Sequence, residues 1–108
     1  MPVPLKIRNL TGTVQQLTTG PVRIYVLTAT NSGTQQAFVQ LFNVANAASV
    51  TLGVTVPDHQ VPVGPGQSVL VPMPHDGLQF SAGIAVASTM TDASNVGSQG
   101  GVSIYLAV

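Results

Sequence analysis

The stretch GLQFSAGIAVASTM, residues 77–90, decides the fold class of this chain. Leu78 and Phe80 alternate with other residues, and beyond Gly83 an alternation of bulkier and smaller side chains runs through 84–90. A period of two is the pattern of a β-strand. Neither face of the second half carries a charge, although a strand needs only one face toward a core. The pattern therefore predicts a strand whose second face is also covered.

Segments with the same period recur from end to end, and Gly, Pro, Asn and Asp separate them. We predict strands at 3–10, 22–30, 38–44, 50–56, 59–63, 67–73, 78–81, 83–91 and 101–107. No segment shows sustained helical spacing, and only NVANAASV (43–50) is compatible with a helical turn. The chain is therefore expected to be all-β, a single-domain β-sandwich over residues 1–108 with about eight antiparallel strands in a jelly-roll arrangement.

Proline and glycine refine this prediction. Five prolines fall within 57–74, and proline cannot donate to a central ladder, so this region is expected at a sheet edge or at bulges. QVPVGPGQSVLVP (60–72) is predicted to form a hairpin that turns at 64–66, and Gly83 is predicted to occupy a tight bend or bulge. The residues predicted to form the core are Phe38, Phe42, Phe80, Gly83, Ile84, Val86 and Ile104.

The charge content is far below that of an ordinary domain. Charged residues make up 6% of the 108 residues, against about 25% typically, and the formal net charge is zero. Hydrophobic residues make up 44%, which is enough for a packed core. A neutral, uncharged surface promotes self-association, so we expect much of this surface to be covered in the working state.

Several function classes are disfavoured. The chain has no basic patch with interleaved aromatic residues and no run of about 18 apolar residues, so neither nucleic acid nor membrane is an expected partner. The start, MPVPLKIRNL, lacks the pattern of a signal peptide, and the absence of Cys fits a reducing cytoplasm. Without a GxSxG or phosphate-loop motif, we expect no enzyme and no cofactor.

Two groups of residues are candidates for specific contacts. Asp58, His59, His75 and Asp76 would lie near the open end of the predicted hairpin, where they are weak candidates for a metal site or a pH-sensitive contact. Asp and His are also ordinary turn residues, which explains them without any ligand. Lys6 and Arg8, two residues apart on a strand, either protect a sheet edge or dock on an acidic partner surface.

The order of four segments resembles that of small virion proteins of tailed bacteriophages, which are usually capsid decoration, or cement, proteins. The segments are FVQLFN (38–43), VPVGPGQSVLVP (61–72), GLQFSAGIAVASTMTDAS (77–94) and VSIYLAV (102–108). The most specific element is the run from Gly77 to Ala85. Gly66 stands where the family has Ala-Gly, and Phe42 replaces a common Tyr.

The resemblance implies a β-sandwich on the capsid exterior, made in the host cytoplasm, that binds and bridges major capsid protein subunits. It also implies a homo-oligomer, with a trimer favoured over a dimer, and no catalytic residues. The Ala- and Thr-rich second face of 77–90 would then lie against a second copy or the capsid, at low cost because neutral groups avoid the penalty of dehydrating ions. The alternatives are a lectin-like carbohydrate-binding module and a tail or fibre subunit.

Overall fold

The computed structural model describes residues 4–10, 13–90 and 102–108, with the backbone alone described at 7–9. Ten strands lie within these ranges. They are β1 Pro4–Leu10, β2 Gln15–Thr19, β3 Val22–Ile24, β4 Val26–Asn31, β5 Ala37–Phe42, β6 His59–Val63, β7 Gln67–Val71, β8 Leu78–Phe80, β9 Gly83–Thr89 and β10 Val102–Ala107. A single 3₁₀ turn, Ala47–Ser49, is capped by the Asn46 side chain, which accepts a hydrogen bond from the Ala48 N–H.

The strands form two four-stranded sheets and one short pair, and every pairing is antiparallel. The first sheet has the order β1-β10-β4-β7, the second β2-β9-β5-β6, and β3 pairs with β8. Successive strands such as β4 and β5, or β9 and β10, therefore alternate between the two main sheets. This is the strand order of a jelly roll, in which two Greek keys form a sandwich. The predicted fold class is confirmed.

The core lies between the two main sheets. Leu5, Leu106, Leu27 and Val71 stand opposite one another across the first sheet and point into the core. Val39 of β5 and the alternate residues of β9 supply the facing layer. One cluster of buried apolar side chains therefore joins both sheets, as expected when each strand directs alternate residues inward.

The predicted core residues are buried, with one exception. Phe42, Phe80, Ile84, Val86 and Ile104 are at most 3% exposed. Phe38 is only half-buried, because the neighbouring residues Ala37 and Val39 are the ones that face the core and period-two geometry turns Phe38 to the opposite side. The prediction of Phe38 as a core residue was therefore wrong.

Gly83 is buried and opens β9 with a φ of +143°, a conformation that side chains disfavour. A Cβ at this position would lie 2.6 Å from the Thr18 carbonyl oxygen and 2.8 Å from that of Val44. A register shift between Gln16 and Thr18 marks an irregularity in the paired strand β2. The close approach of three backbone segments therefore requires glycine at position 83. The irregularity in strand pairing lies in β2, not at Gly83 itself.

The Pro-rich region lies at sheet edges as predicted, since β6 and β7 are the terminal strands of their sheets. The predicted hairpin is wrong, because these two strands belong to different sheets. Asn31, at the end of β4, accounts for the crossing. Its side-chain amide donates to the Val63 carbonyl at the end of β6 (3.1 Å), and its backbone carbonyl accepts from the Gly66 N–H (2.8 Å). The chain thus leaves the second sheet after β6 and enters the first sheet as β7, which pairs with β4.

Three further differences concern which segments form strands. The strand β2 was not predicted, because QQLTT has a single apolar residue. The predicted strand 22–30 is divided at Tyr25, whose N–H donates to the Ala107 carbonyl (2.8 Å). The predicted strand 50–56 is wrong: it contains a turn in which Thr55 N–H donates to the Thr51 carbonyl, and Gly53 adopts a φ of +84°. Alternation alone predicted this strand, but a strand also requires a neighbour.

Candidate functional site

The solvent side of the first sheet is a candidate contact surface, and we call it the outer sheet face. Register places Lys6, Tyr105, Thr28 and Leu70 opposite one another across β1, β10, β4 and β7. Leu70 is 69% exposed and Tyr105 38% exposed. A row that crosses all four strands therefore presents two large apolar or aromatic side chains to solvent.

The described residues of the neighbouring rows of the outer sheet face are uncharged. Ser103, Thr30 and Ser68 form one row, in which the hydroxyls of Thr30 and Ser68 share a hydrogen bond of 3.1 Å. Val26, on the other side of the central row, is exposed. Such hydroxyl and methyl groups lose little on desolvation compared with ions. The face is therefore suited to burial against a partner.

Lys6 is the one charged side chain in the described part of the central row. Its Nζ lies 6.0 Å from the centroid of the Tyr105 ring, at the outer limit of a cation–π contact. Arg8, the other predicted partner contact, belongs to β1, but its side chain lies outside the described residues.

The outer side of the second sheet is covered differently from what the sequence predicted. Ala85, Ala87 and Thr89 form the Ala- and Thr-rich second face of β9, which we expected to lie against a second copy or the capsid. All three are inaccessible within the single chain. Gln40 of the neighbouring strand is also buried, and its amide donates to the Thr89 hydroxyl (2.8 Å). The chain itself therefore covers this face, which answers why 83–89 carries no charge on either side.

The partly buried amide of Gln16 ties three segments together. Its Nε2 group, with two N–H donors, lies within hydrogen-bond distance of the carbonyl oxygens of Thr18, Val44 and Ile84, and so joins β2, β9 and the connection 43–58. At the end of β5, the Asp58 carboxylate accepts from the Asn43 N–H (2.7 Å). These contacts give the connection a defined path. The sequence offered no signal for Gln16, because its partners are backbone groups distant along the chain.

The structure does not assemble the four weak metal-ligand candidates. Asp58 is engaged by Asn43, and the His59 ring packs at an angle against Phe80 with centroids 5.8 Å apart. His75 and Asp76 lie in the turn before β8. Within residues 4–10, 13–90 and 102–108, no three His, Cys, Asp or Glu side chains are close enough to hold a metal ion. The candidates separate because the predicted hairpin does not form.

Two concave regions of the described surface are also candidate sites. An apolar cleft of about 270 Å³ opens beside the edge strands β6 and β7, and Leu41, Val61 and Met73 are among its lining residues. A polar depression of about 370 Å³ is lined by Arg23, Tyr25, His75 and Asp76. Sequence reasoning missed this depression, because its residues come from two segments about 50 positions apart.

No family model, curated protein or solved structure matches this chain. In the described part of the chain, no helix is long and apolar enough to cross a membrane. The fold is therefore assigned from strand order and register, and a function has to be argued from the surfaces themselves.

Proposed function

We propose that this protein is a structural virion protein, a capsid decoration or cement protein that binds and bridges major capsid protein subunits on the outside of a phage head. The observation that carries the proposal is the outer sheet face, a broad surface with exposed apolar side chains and a single described charge in its central row. The resemblance of four sequence segments to phage virion proteins gives the surface its expected partner.

The chemistry of the face suits a long-lived structural contact. Tyr105 is of a residue type that is enriched at interface centres, and Leu70 adds exposed apolar area. Ser and Thr hydroxyls can exchange water for hydrogen bonds to a partner. Lys6 is the single charge described in the central row, so few ions have to be desolvated on binding. Lys6 and Arg8, on β1 at one edge of this sheet, would add a modest salt-sensitive contribution of about 0–1 kcal/mol per exposed ion pair on acidic capsid loops.

Bridging follows from binding the assembled lattice rather than a single subunit. A ligand that binds only the assembled state stabilises it by mass action, and many copies multiply a modest affinity at each site. Head maturation and genome packing strain the contacts between subunits, so a protein that spans these contacts opposes their separation. We propose a homo-oligomer for this role, with a trimer favoured over a dimer.

The first experiment compares particles with and without the protein. Virions of the phage that encodes the chain are stripped of it, or produced by a deletion mutant, and genome release is followed on heating. Stripped heads are expected to release the genome at a lower temperature, and added protein is expected to restore the original value. Equal release temperatures would reject the cement role, and antibody labelling of tails instead of heads would assign a tail or fibre subunit.

A second experiment locates the binding surface. Leu70→Asp places a charge on the outer sheet face, whereas Val54→Asp changes a similarly exposed side chain on the connection 43–58 (77% against 69%). Leu70→Asp is expected to weaken rebinding to stripped heads at least about tenfold, which corresponds to about 1.4 kcal/mol. Val54→Asp should rebind normally. Equal effects of the two variants would remove the outer sheet face from the mechanism.

A further inference from the structure

The polar depression collects an unusual share of the charge in this chain. The protein has three Lys or Arg, three Asp or Glu and two His, and Arg23, Asp76 and His75 line the same depression together with Tyr25, one of two tyrosines. In a surface made largely of neutral residues, this concentration of donors, acceptors and an aromatic ring distinguishes the depression from the rest of the described surface.

The depression is built by the short two-stranded sheet that is separate from the two main sheets. β3 pairs with β8, so Arg23 stands opposite Gln79, and the turn before β8 brings His75 and Asp76 to the same place. The turn closes through a hydrogen bond from the Gly77 N–H to the Pro74 carbonyl (2.9 Å). The Arg23 guanidinium donates to the Asp76 carbonyl (3.1 Å), which holds the turn against β3.

Gly77 allows the tyrosine ring to lie against this turn. It has a φ of +83°, and a Cβ at this position would lie 2.9 Å from the Tyr25 Cε1 atom and 3.1 Å from the Arg23 Cβ. Any other residue would push the ring away. Tyr25 nevertheless remains 42% exposed. The aromatic surface is therefore positioned before any ligand arrives, which reduces the ordering cost of binding.

We infer that this depression binds a neutral carbohydrate. Sugar hydroxyls both donate and accept hydrogen bonds, so they can pair with the Asp76 carboxylate as acceptor and with the remaining Arg23 N–H groups as donors. In the described residues the Asp76 carboxylate forms no salt bridge or hydrogen bond. Tyr25 is 42% exposed, so its phenol group can add an aromatic contact and a hydroxyl that donates or accepts a hydrogen bond.

The balance of charge separates neutral sugars from anionic ligands. Arg23 attracts an anion, but the Asp76 carboxylate in the same depression opposes it, so the fixed charges cancel. A neutral polyol meets both groups favourably. The volume of about 370 Å³ lies near the lower end of the range for small-molecule sites, about 300–1,000 Å³. One or two sugar rings, such as the end of a surface glycan, would occupy it.

Affinity for a single sugar is expected in the millimolar range, since the depression is open to solvent. If the protein decorates a capsid, which is the function proposed above, many copies on one particle would raise the effective affinity for a glycan-covered surface. The binding itself does not depend on that proposal, and it is tested with the isolated protein.

The experiment is a titration of the isotopically labelled full chain with methyl glycosides of glucose, galactose and mannose, followed by two-dimensional NMR. At least one glycoside is expected to produce saturable shifts of amides at 22–25 and 75–79, with a dissociation constant of about 1–10 mM. Absence of saturation for all three neutral glycosides would overturn the inference. Glucuronate and N-acetylneuraminate form a second arm, and binding of these acids alone would overturn the assignment to neutral sugars.

Three variants locate the site. Tyr25→Ala and Asp76→Ala are each expected to weaken binding about tenfold or more, whereas Tyr105→Ala, which removes the other exposed tyrosine, should leave it unchanged. The same NMR spectra report whether each variant is folded. If Tyr25→Ala and Asp76→Ala are folded and bind normally, the depression is not the site. Rebinding of the unmodified protein to stripped heads is measured in parallel. Normal rebinding without sugar binding would reject only the sugar site, and sugar binding without rebinding would reject only the capsid proposal.

Discussion

At the scale of single residues, two neighbouring hydroxyls on β9 have opposite energetic roles. Ser88 and Thr89 are both fully buried, but the Thr89 hydroxyl accepts a hydrogen bond from Gln40, whereas the Ser88 hydroxyl has no partner among the described residues. A buried hydroxyl without a partner costs about 1–3 kcal/mol. Ser88→Ala is therefore expected to leave stability unchanged or to increase it. Thr89→Val, which also removes a hydroxyl, is expected to cost about 1 kcal/mol.

Urea unfolding of the two variants measures this difference. A loss of stability in Ser88→Ala that equals the loss in Thr89→Val would show that the Ser88 hydroxyl is satisfied in solution, and that its contribution resembles that of its neighbour.

Two of the three phenylalanines predicted for the core form a second comparison. Phe80 is 1% exposed and contacts the His59 ring, whereas Phe38 is half-buried on the other side of the second sheet. Phe80→Ala is expected to reduce the free energy of unfolding by about 3–5 kcal/mol, because it leaves a cavity in the core. Phe38→Ala should cost clearly less. Chemical denaturation measures both, and a loss below about 1 kcal/mol for Phe80→Ala would contradict its place in the core.

At the scale of elements, the start of β9 depends on a close approach of backbone segments. Gly83 and Gly20 both have positive φ, but a Cβ at Gly20 would meet nothing within 4 Å, whereas one at Gly83 would collide with the carbonyls of Thr18 and Val44. Gly20→Ala is expected to cost about 1–2 kcal/mol from backbone strain alone. Gly83→Ala should cost about 1–3 kcal/mol more, since β2 and the connection 43–58 must move.

Thermal and urea unfolding of the two glycine variants test this expectation. Equal losses would mean that backbone conformation, rather than the junction of β2, β9 and the connection 43–58, sets the requirement for glycine at position 83.

At the scale of the whole molecule, the low charge predicts how the protein associates. The formal net charge is zero, and only 6% of the residues are charged. The proposed homo-oligomer should therefore persist between about 0.1 and 1 M salt, although the screening length falls from about 10 to about 3 Å. Sedimentation velocity measures the mass, with a trimer as the expected species. A monomer at micromolar concentration, or dissociation by salt, would contradict this prediction.

Local pattern alone determined much of the architecture. The alternation in 83–89 and 102–107 predicts strands because a period of two suits only extended backbone, and the prolines of 57–74 predict edge strands because proline cannot donate to a ladder. Burial of Phe80 and the need for glycine at position 83 also follow from residue type in that pattern. These properties depend on a residue and its immediate neighbours, so they can be predicted from the sequence.

The tertiary structure decided which strands are neighbours and which faces are covered. A turn at 64–66 is compatible with a hairpin or with a crossing between sheets, and Asn31, far away in sequence, selects the crossing. The second face of β9 is neutral whether a partner or the chain itself covers it, and only packing shows that the chain does. The depression beside Tyr25 exists because β3 pairs with β8. Pairing and burial are long-range properties, since their energies depend on residues that no local pattern identifies.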